Sequence, residues 1–395
     1  MRRLGLLLVF ILLGLQLRSV MPASARSSAI EINSVMAEYR FGEQLTITAQ
    51  LLSDQPVKHV SLFLQQVDRP TLALELDAGA NGELLAQFNL VEQPLRPFAR
   101  VDYWFEVVPL AGETFHTPVF SLNYEDNRQD WQRLEENGLQ VAWVEGDVSF
   151  GQQILNTAAA SLERNRQFIN GDVSLPLKIY VYPTAAALQN ALALDGADWV
   201  AGQANPELGT VLVSIAPSST QGMEMERQIP HELMHILLYE KMNAYYNQLP
   251  VWLSEGLASL AELYPNPDYG RALDQAAANG RLLPIESLCG YFPMDASNAY
   301  LAYAESASFV KHQYELYGIS GLDRLIAAYT SGQGCAAGFE TALGLTLSQA
   351  ENRWRQEILK IDTTSLIFRT MGPYLVLFIL VVGIPLGAGL LARRK

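Results

Sequence analysis

The chain is 395 residues long, with 27 lysines and arginines against 41 aspartates and glutamates, a formal net charge of −14. That balance repels nucleic acid and anionic lipid, and no basic stripe with interleaved aromatics occurs, which argues against nucleic-acid binding. At this length more than one packed core is expected.

The first 25 residues hold Arg2 and Arg3, an apolar run over 4–17 and the small-residue sequence Ala23-Ser24-Ala25. The pattern predicts a secretory signal peptide over 1–25, with an uncleaved amino-terminal anchor as the alternative. Residues 29–124 alternate apolar and polar side chains in short runs, clearest at 45–51, 60–64 and 102–108. Turn sequences such as Ser53-Asp54-Gln55-Pro56 separate the runs, so an antiparallel β-sandwich is expected there. A polar linker near 124–128 leads into a second region, 129–362. It begins with a helical pattern at 150–168 and strands at 177–182 and 211–215, and then becomes almost wholly helical. Residues 373–392 carry no charge and are long enough to span a membrane. The Arg393-Arg394-Lys395 tail would be cytoplasmic, which predicts a single-pass type I protein of the cell membrane with the rest of the chain outside. A carboxy-terminal sorting or lipid-anchor signal is the alternative.

Two histidines stand four residues apart in His231-Glu232-Leu233-Met234-His235. On a helix this spacing puts both imidazoles on one face, where they can meet a single metal ion. Glu232, one step round, is placed to take a proton from water beside that ion. Nineteen residues later comes Trp252-Leu253-Ser254-Glu255-Gly256 on a second predicted helix, beginning after Pro250. A catalytic zinc site uses three protein ligands and keeps a position open, and a carboxylate from a neighbouring helix supplies the third.

The two motifs together resemble the gluzincin branch of the zincin metallopeptidases, which includes thermolysin and the aminopeptidase-N-like enzymes. The resemblance is carried by residues 223–263 and extends more loosely over 131–361. It implies one zinc ion per chain held by His231, His235 and Glu255, with Glu232 as general base and a peptide or protein as substrate. The fold class expected is multidomain. An immunoglobulin- or fibronectin III-like antiparallel β-sandwich precedes an α+β zincin-like peptidase domain with a helical C-terminal half, and a single C-terminal transmembrane helix follows.

In that family an edge strand pairs with the substrate backbone, and Gly202-Gln203-Ala204 is the candidate segment, with 209–215 as the alternative. A tyrosine or histidine from a later helix steadies the oxyanion there. The predicted helix at 298–317 offers Tyr303 and His312, which face opposite ways. Tyr303 is favoured because it shares an inward stripe with Ala307, Val310 and Tyr314. Glu262, seven residues past Glu255, is the candidate partner for the second nitrogen of a ligand histidine, with exposed helix surface as the alternative. Ser259 stands where thermolysin-like members carry an acid. Cys289 and Cys335 form a disulfide or remain two buried thiols.

The expected function is a membrane-anchored extracellular zinc peptidase. The alternative is a cell-surface binding or adhesion protein with a non-catalytic zincin fold, against which the intact Glu232 argues. Endopeptidase and aminopeptidase are not separated by these motifs, and oligomeric state is not legible.

Overall fold

The computed structural model describes residues 30–79, 81–174, 176–192, 202–361 and positions 374, 376, 377, 379 and 381. Eight strands come first: β1 (Ile30–Arg40), β2 (Gln44–Ser53), β3 (Val57–Gln66), β4 (Leu72–Leu76), β5 (Glu83–Asn89), β6 (Arg100–Pro109), β7 (Phe115–His116) and β8 (Phe120–Asn123). They form two antiparallel sheets, one in the order β1-β2-β5 and one in the order β4-β3-β6-β7, with β8 also on β6. The two-residue alternation decides which side chains meet between them. In β2 the buried set is Leu45, Ile47, Ala49 and Leu51, and in β6 it is Val101, Tyr103, Phe105 and Val107.

The third sheet is built from β9 (Gln132–Glu136), β10 (Leu139–Trp143), β11 (Leu177–Tyr182), β12 (Gly202–Asn205) and β13 (Thr210–Ser214). Its order is β12-β13-β11-β10-β9; the three inner strands are parallel, and both edge strands run antiparallel to their neighbours. Interleaved are α1 (Val148–Asn165) and α2 (Ala185–Leu192), followed by α3 (Gln221–Met242). Strands β11 and β13 are apolar almost throughout because both faces are covered. On one face Ile179, Val181, Val211 and Val213 pack with Ile154 of α1 and Ile229, Leu233 and Ile236 of α3. On the other, Tyr180, Tyr182 and Leu212 join Phe98 and Tyr124 of the sandwich in one continuous core, with the Phe98 and Tyr180 ring centroids 4.4 Å apart. The sandwich is therefore packed against the sheet rather than hung from a linker.

The remaining helices are α4 (Val251–Ala261), α5 (Tyr269–Asn279), α6 (Ala296–Thr330), α7 (Cys335–Leu343) and α8 (Leu347–Glu357). Helix α6 bends at Gly318, whose φ of 62° and non-helical ψ divide it into two pieces. Trp252, Phe309, Phe339 and Trp354 fill the core that these helices share with α3. At Gly256 a Cβ would lie 2.3 Å from Val310 Cγ2 and 2.6 Å from the Ser306 carbonyl, so only glycine lets α4 lie this close to α6. A disulfide joins Cys289 to Cys335, and the Trp252 indole donates to the Cys335 sulfur at 3.3 Å. Closing a loop of 46 residues this way stabilises the fold by about 4 kcal/mol.

Two expectations are corrected. No helix among the described residues is long and apolar enough to cross a membrane, so the single transmembrane helix at 373–392 is not found. The single-pass type I placement in the cell membrane, with the catalytic domain outside, falls with it. A span needs about twenty consecutive apolar residues, whereas α3 carries Glu224, Glu226, Arg227 and Glu232, and α6 carries Glu305, Lys311, Glu315, Asp323 and Arg324. Most of 373–392, the predicted signal peptide at 1–25 and the tail at 393–395 lie outside the described residues.

Candidate functional site

Helix α3 carries His231 and His235 one turn apart, with ring centroids 5.3 Å apart. Glu255, in the second turn of α4, brings one carboxylate oxygen to 3.3 Å from His231 Nε2 and 3.7 Å from His235 Nε2. The three ligand atoms lie within 4.8 Å of one another. Two imidazole nitrogens and a carboxylate oxygen converging in this way are the donor set of a catalytic zinc site. Both outer nitrogens are engaged, which leaves both Nε2 atoms turned inward. His231 Nδ1 lies 3.1 Å from Glu262 Oε1, while His235 Nδ1 lies 3.2 Å from the Ser254 hydroxyl and 3.4 Å from that of Tyr246. The residues present fit the metal.

The electrostatics follow from these contacts. Burial alone would lower the His231 pKa, but Glu255 and Glu262 outweigh it and hold the imidazole well above its ordinary value. Burial alone would raise Glu255, and the two histidines hold it well below the usual carboxylate range instead. Glu232 is buried, and desolvation lifts its pKa while His231 and His235 pull against the rise.

Glu232 lies against β12, the free edge of the third sheet. The Ala204 amide bonds to its carboxylate, and a Cβ on Gly202 would stand 2.6 Å from its Oε1. Gly202, Gln203 and Ala204 are thus on an edge strand, paired on one side only with Val213, Leu212 and Val211. The alternative segment, 209–215, forms β13, which has a strand on both sides and no free edge. Tyr303 sits near the centre: the field of Glu255, then burial, then Glu232 push its phenol pKa upward. His312 is elsewhere, bonded to Glu357 at 2.8 Å and to Gln313.

A model of the Peptidase MA superfamily matches residues 157–360, just over half of the chain. The chain belongs to this superfamily. The matched Peptidase MA span begins inside α1 and contains His231, Glu232, His235, Glu255, Glu262 and Tyr303. No curated protein matches the chain. Among solved structures, it is similar to a family 56 carbohydrate-binding module described as a β-1,3-glucan binding domain, at 14% identity over 24% of this chain and 99% of that one, with a TM-score of 0.18. OgpA from Akkermansia muciniphila is 17% identical over 27% of this chain and 31% of that one, with a TM-score of 0.21.

Three features of this Peptidase MA site were missed in the sequence. Ser254 and Tyr246 support His235, and Tyr269 lies close enough to Glu262 and Glu255 for both to raise its phenol pKa, though burial contributes most. The third is backbone. Pro230 has no N–H to return to the Glu226 carbonyl, which instead accepts the Leu263 and Tyr264 amides at 2.9 and 3.2 Å. That pins the exit of α4 onto α3 and brings Glu262 to His231. A proline directly before the first histidine was the available signal.

Proposed function

We propose that this Peptidase MA chain is a zinc-dependent metallopeptidase that hydrolyses peptide bonds. The observation that carries the reading is the convergence of His231, His235 and Glu255 with the Glu232 carboxylate beside them. A zinc ion held by the three residues would lower the pKa of a water molecule and polarise the scissile carbonyl. Glu232 takes the proton of the attacking water and delivers it to the leaving amine; its raised pKa suits it to both steps. The Tyr303 hydroxyl donates to the developing oxyanion. Strand β12 pairs with the extended substrate backbone through main-chain hydrogen bonds, and Gly202 keeps that edge free of a side chain. Glu262 accepts the outer N–H of His231 and fixes its ring.

The test is Glu232→Gln. It should bind zinc one to one, as the wild type does, while hydrolysis of a mixed peptide library falls by at least about a hundred-fold. A wild type that binds zinc and cleaves nothing would overturn the peptidase reading.

A further inference from the structure

A cleft of about 500 Å³ lies between α5 and the first turns of α6. Ala272, Ala276 and Leu301 contribute apolar surface, and the larger part of the lining is polar, with Arg271, Arg281 and Asn298 among it. Concavity together with a small number of placed polar groups is what orients a ligand in a site.

Tyr300 and Tyr269 connect the cleft to the cluster of His231, His235 and Glu255. Tyr300, which lines the cleft, precedes Tyr303 by one turn of α6 and so shares its face. The Tyr300 ring lies 5.3 Å from that of Tyr269, whose phenol feels both Glu262 and Glu255. Arg227, one turn ahead of His231 on α3, and Arg271 both act electrostatically on the Tyr300 phenol. The lining charge is opposite to that of the whole protein. In a chain of net charge −14, two guanidinium groups face a single carboxylate, Asp268. Asp268 is already paired with Arg271. Arg281 is exposed and makes no ion pair among the described residues.

We propose that this cleft is a substrate subsite for a carboxylate, gripped by Arg281 with Arg271 beside it. The assignment rests on the peptidase reading above. A guanidinium offers two parallel N–H donors that match a carboxylate, and an uncharged amide of the same shape loses that match. The carboxylate belongs either to an acidic side chain or to the free C-terminus of the peptide.

The experiment uses matched peptides in which each position carries Glu or Gln and the terminus is a free acid or an amide. For the wild type, kcat/KM should favour the acid by about tenfold in one kind of pair. Which kind of pair responds identifies the source of the carboxylate. In Arg281→Glu the ratio within that pair should collapse or invert, and because the readout is a ratio, a general loss of activity cannot imitate it. Glu232→Gln with zinc should show the same preference in calorimetric binding. Cleavage and binding without preference would overturn the subsite and leave the peptidase reading standing. Preferential binding with no cleavage by the wild type would do the reverse, and a preference unchanged in Arg281→Glu would remove Arg281 from the site.

Discussion

Among the described residues, one cluster of charge lies where the sandwich meets the third sheet and another where α3 meets α4. At the first, Asp126 is fully buried and surrounded by donors. Arg128 reaches its two oxygens at 2.7 and 2.8 Å, the Tyr182 hydroxyl at 3.1 Å and the Arg128 amide at 3.2 Å. At the second, His231, His235 and Glu255 turn acceptor atoms toward one another, with a further carboxylate, Glu232, alongside. Buried charge is tolerated when it is paired, and the Asp126 cluster pairs every charge within the chain. The histidine cluster is arranged to draw in a cation, as the raised His231 pKa shows for the proton, while Glu255 stays anionic beside it. Burial of charge alone therefore does not mark a functional site; the direction in which the donors and acceptors point does.

The largest effect should come from breaking the second cluster. Glu255→Ala removes one of three donors and should weaken zinc binding by on the order of a thousand-fold, measured by competition with a chelating dye. The urea midpoint of the metal-free protein should not fall comparably. Undiminished one-to-one zinc binding would show that the two histidines suffice. Asp126→Ala should do the opposite. Leaving Arg128 and Tyr182 without their acceptor should cost about 4 kcal/mol of stability, seen in urea unfolding, with the zinc affinity of the folded protein intact.

A third acid tests the comparison from another side. Glu305 is fully buried on α6; one oxygen accepts the Leu283 amide at 2.9 Å, and the other has no partner among the described residues. Burial pushes its carboxyl up to about 8, against the opposing Leu283 amide and Arg355, with Glu351 adding to the rise. Because the folded pKa exceeds that of the unfolded chain, the protonated acid's contribution to stability is complete below the ordinary carboxylate range. It is lost as pH rises through about 8. Glu305→Gln keeps an acceptor for Leu283 and does not ionise. Its Tm should exceed that of the wild type at pH 8 and converge with it toward pH 5; parallel curves would remove the buried charge from the account.

How much of this was legible depended on whether the controlling interaction is local. The i, i+4 spacing of His231 and His235 reads directly as one helical face, and β2 and β6 declare their buried faces by alternation. Helix α4 stops at Ala261, and Glu262 sits beyond it with φ −52° and ψ 130°. It reaches His231 from an extended segment held by the Glu226 carbonyl rather than along the helix face that its spacing from Glu255 implied. Strands β9 and β10 were missed because β9 is polar on both faces, although Asn137-Gly138, both with positive φ, is a strong hairpin signal. The packing of Phe98 against Tyr180 and Tyr182 joins residues more than eighty positions apart, and nothing in either segment alone announces it.

The smallest and sharpest comparison lies between the two histidines themselves. His231 leans on a carboxylate, Glu262, which accepts its outer N–H with the added strength of charge. His235 has two neutral hydroxyls within reach, Ser254 and Tyr246, so either can accept when the other is lost. Glu262→Ala should therefore weaken zinc binding by about 10–100-fold, and Ser254→Ala by less than about tenfold. Adding Tyr246→Phe to Ser254→Ala should deepen the loss beyond the sum of the two single effects, because only then is the ring unsupported. If Ser254→Ala, Tyr246→Phe and the double variant instead lose affinity additively, the two hydroxyls act separately; if none of them loses affinity, the packing of α3 rather than hydrogen bonding orients His235.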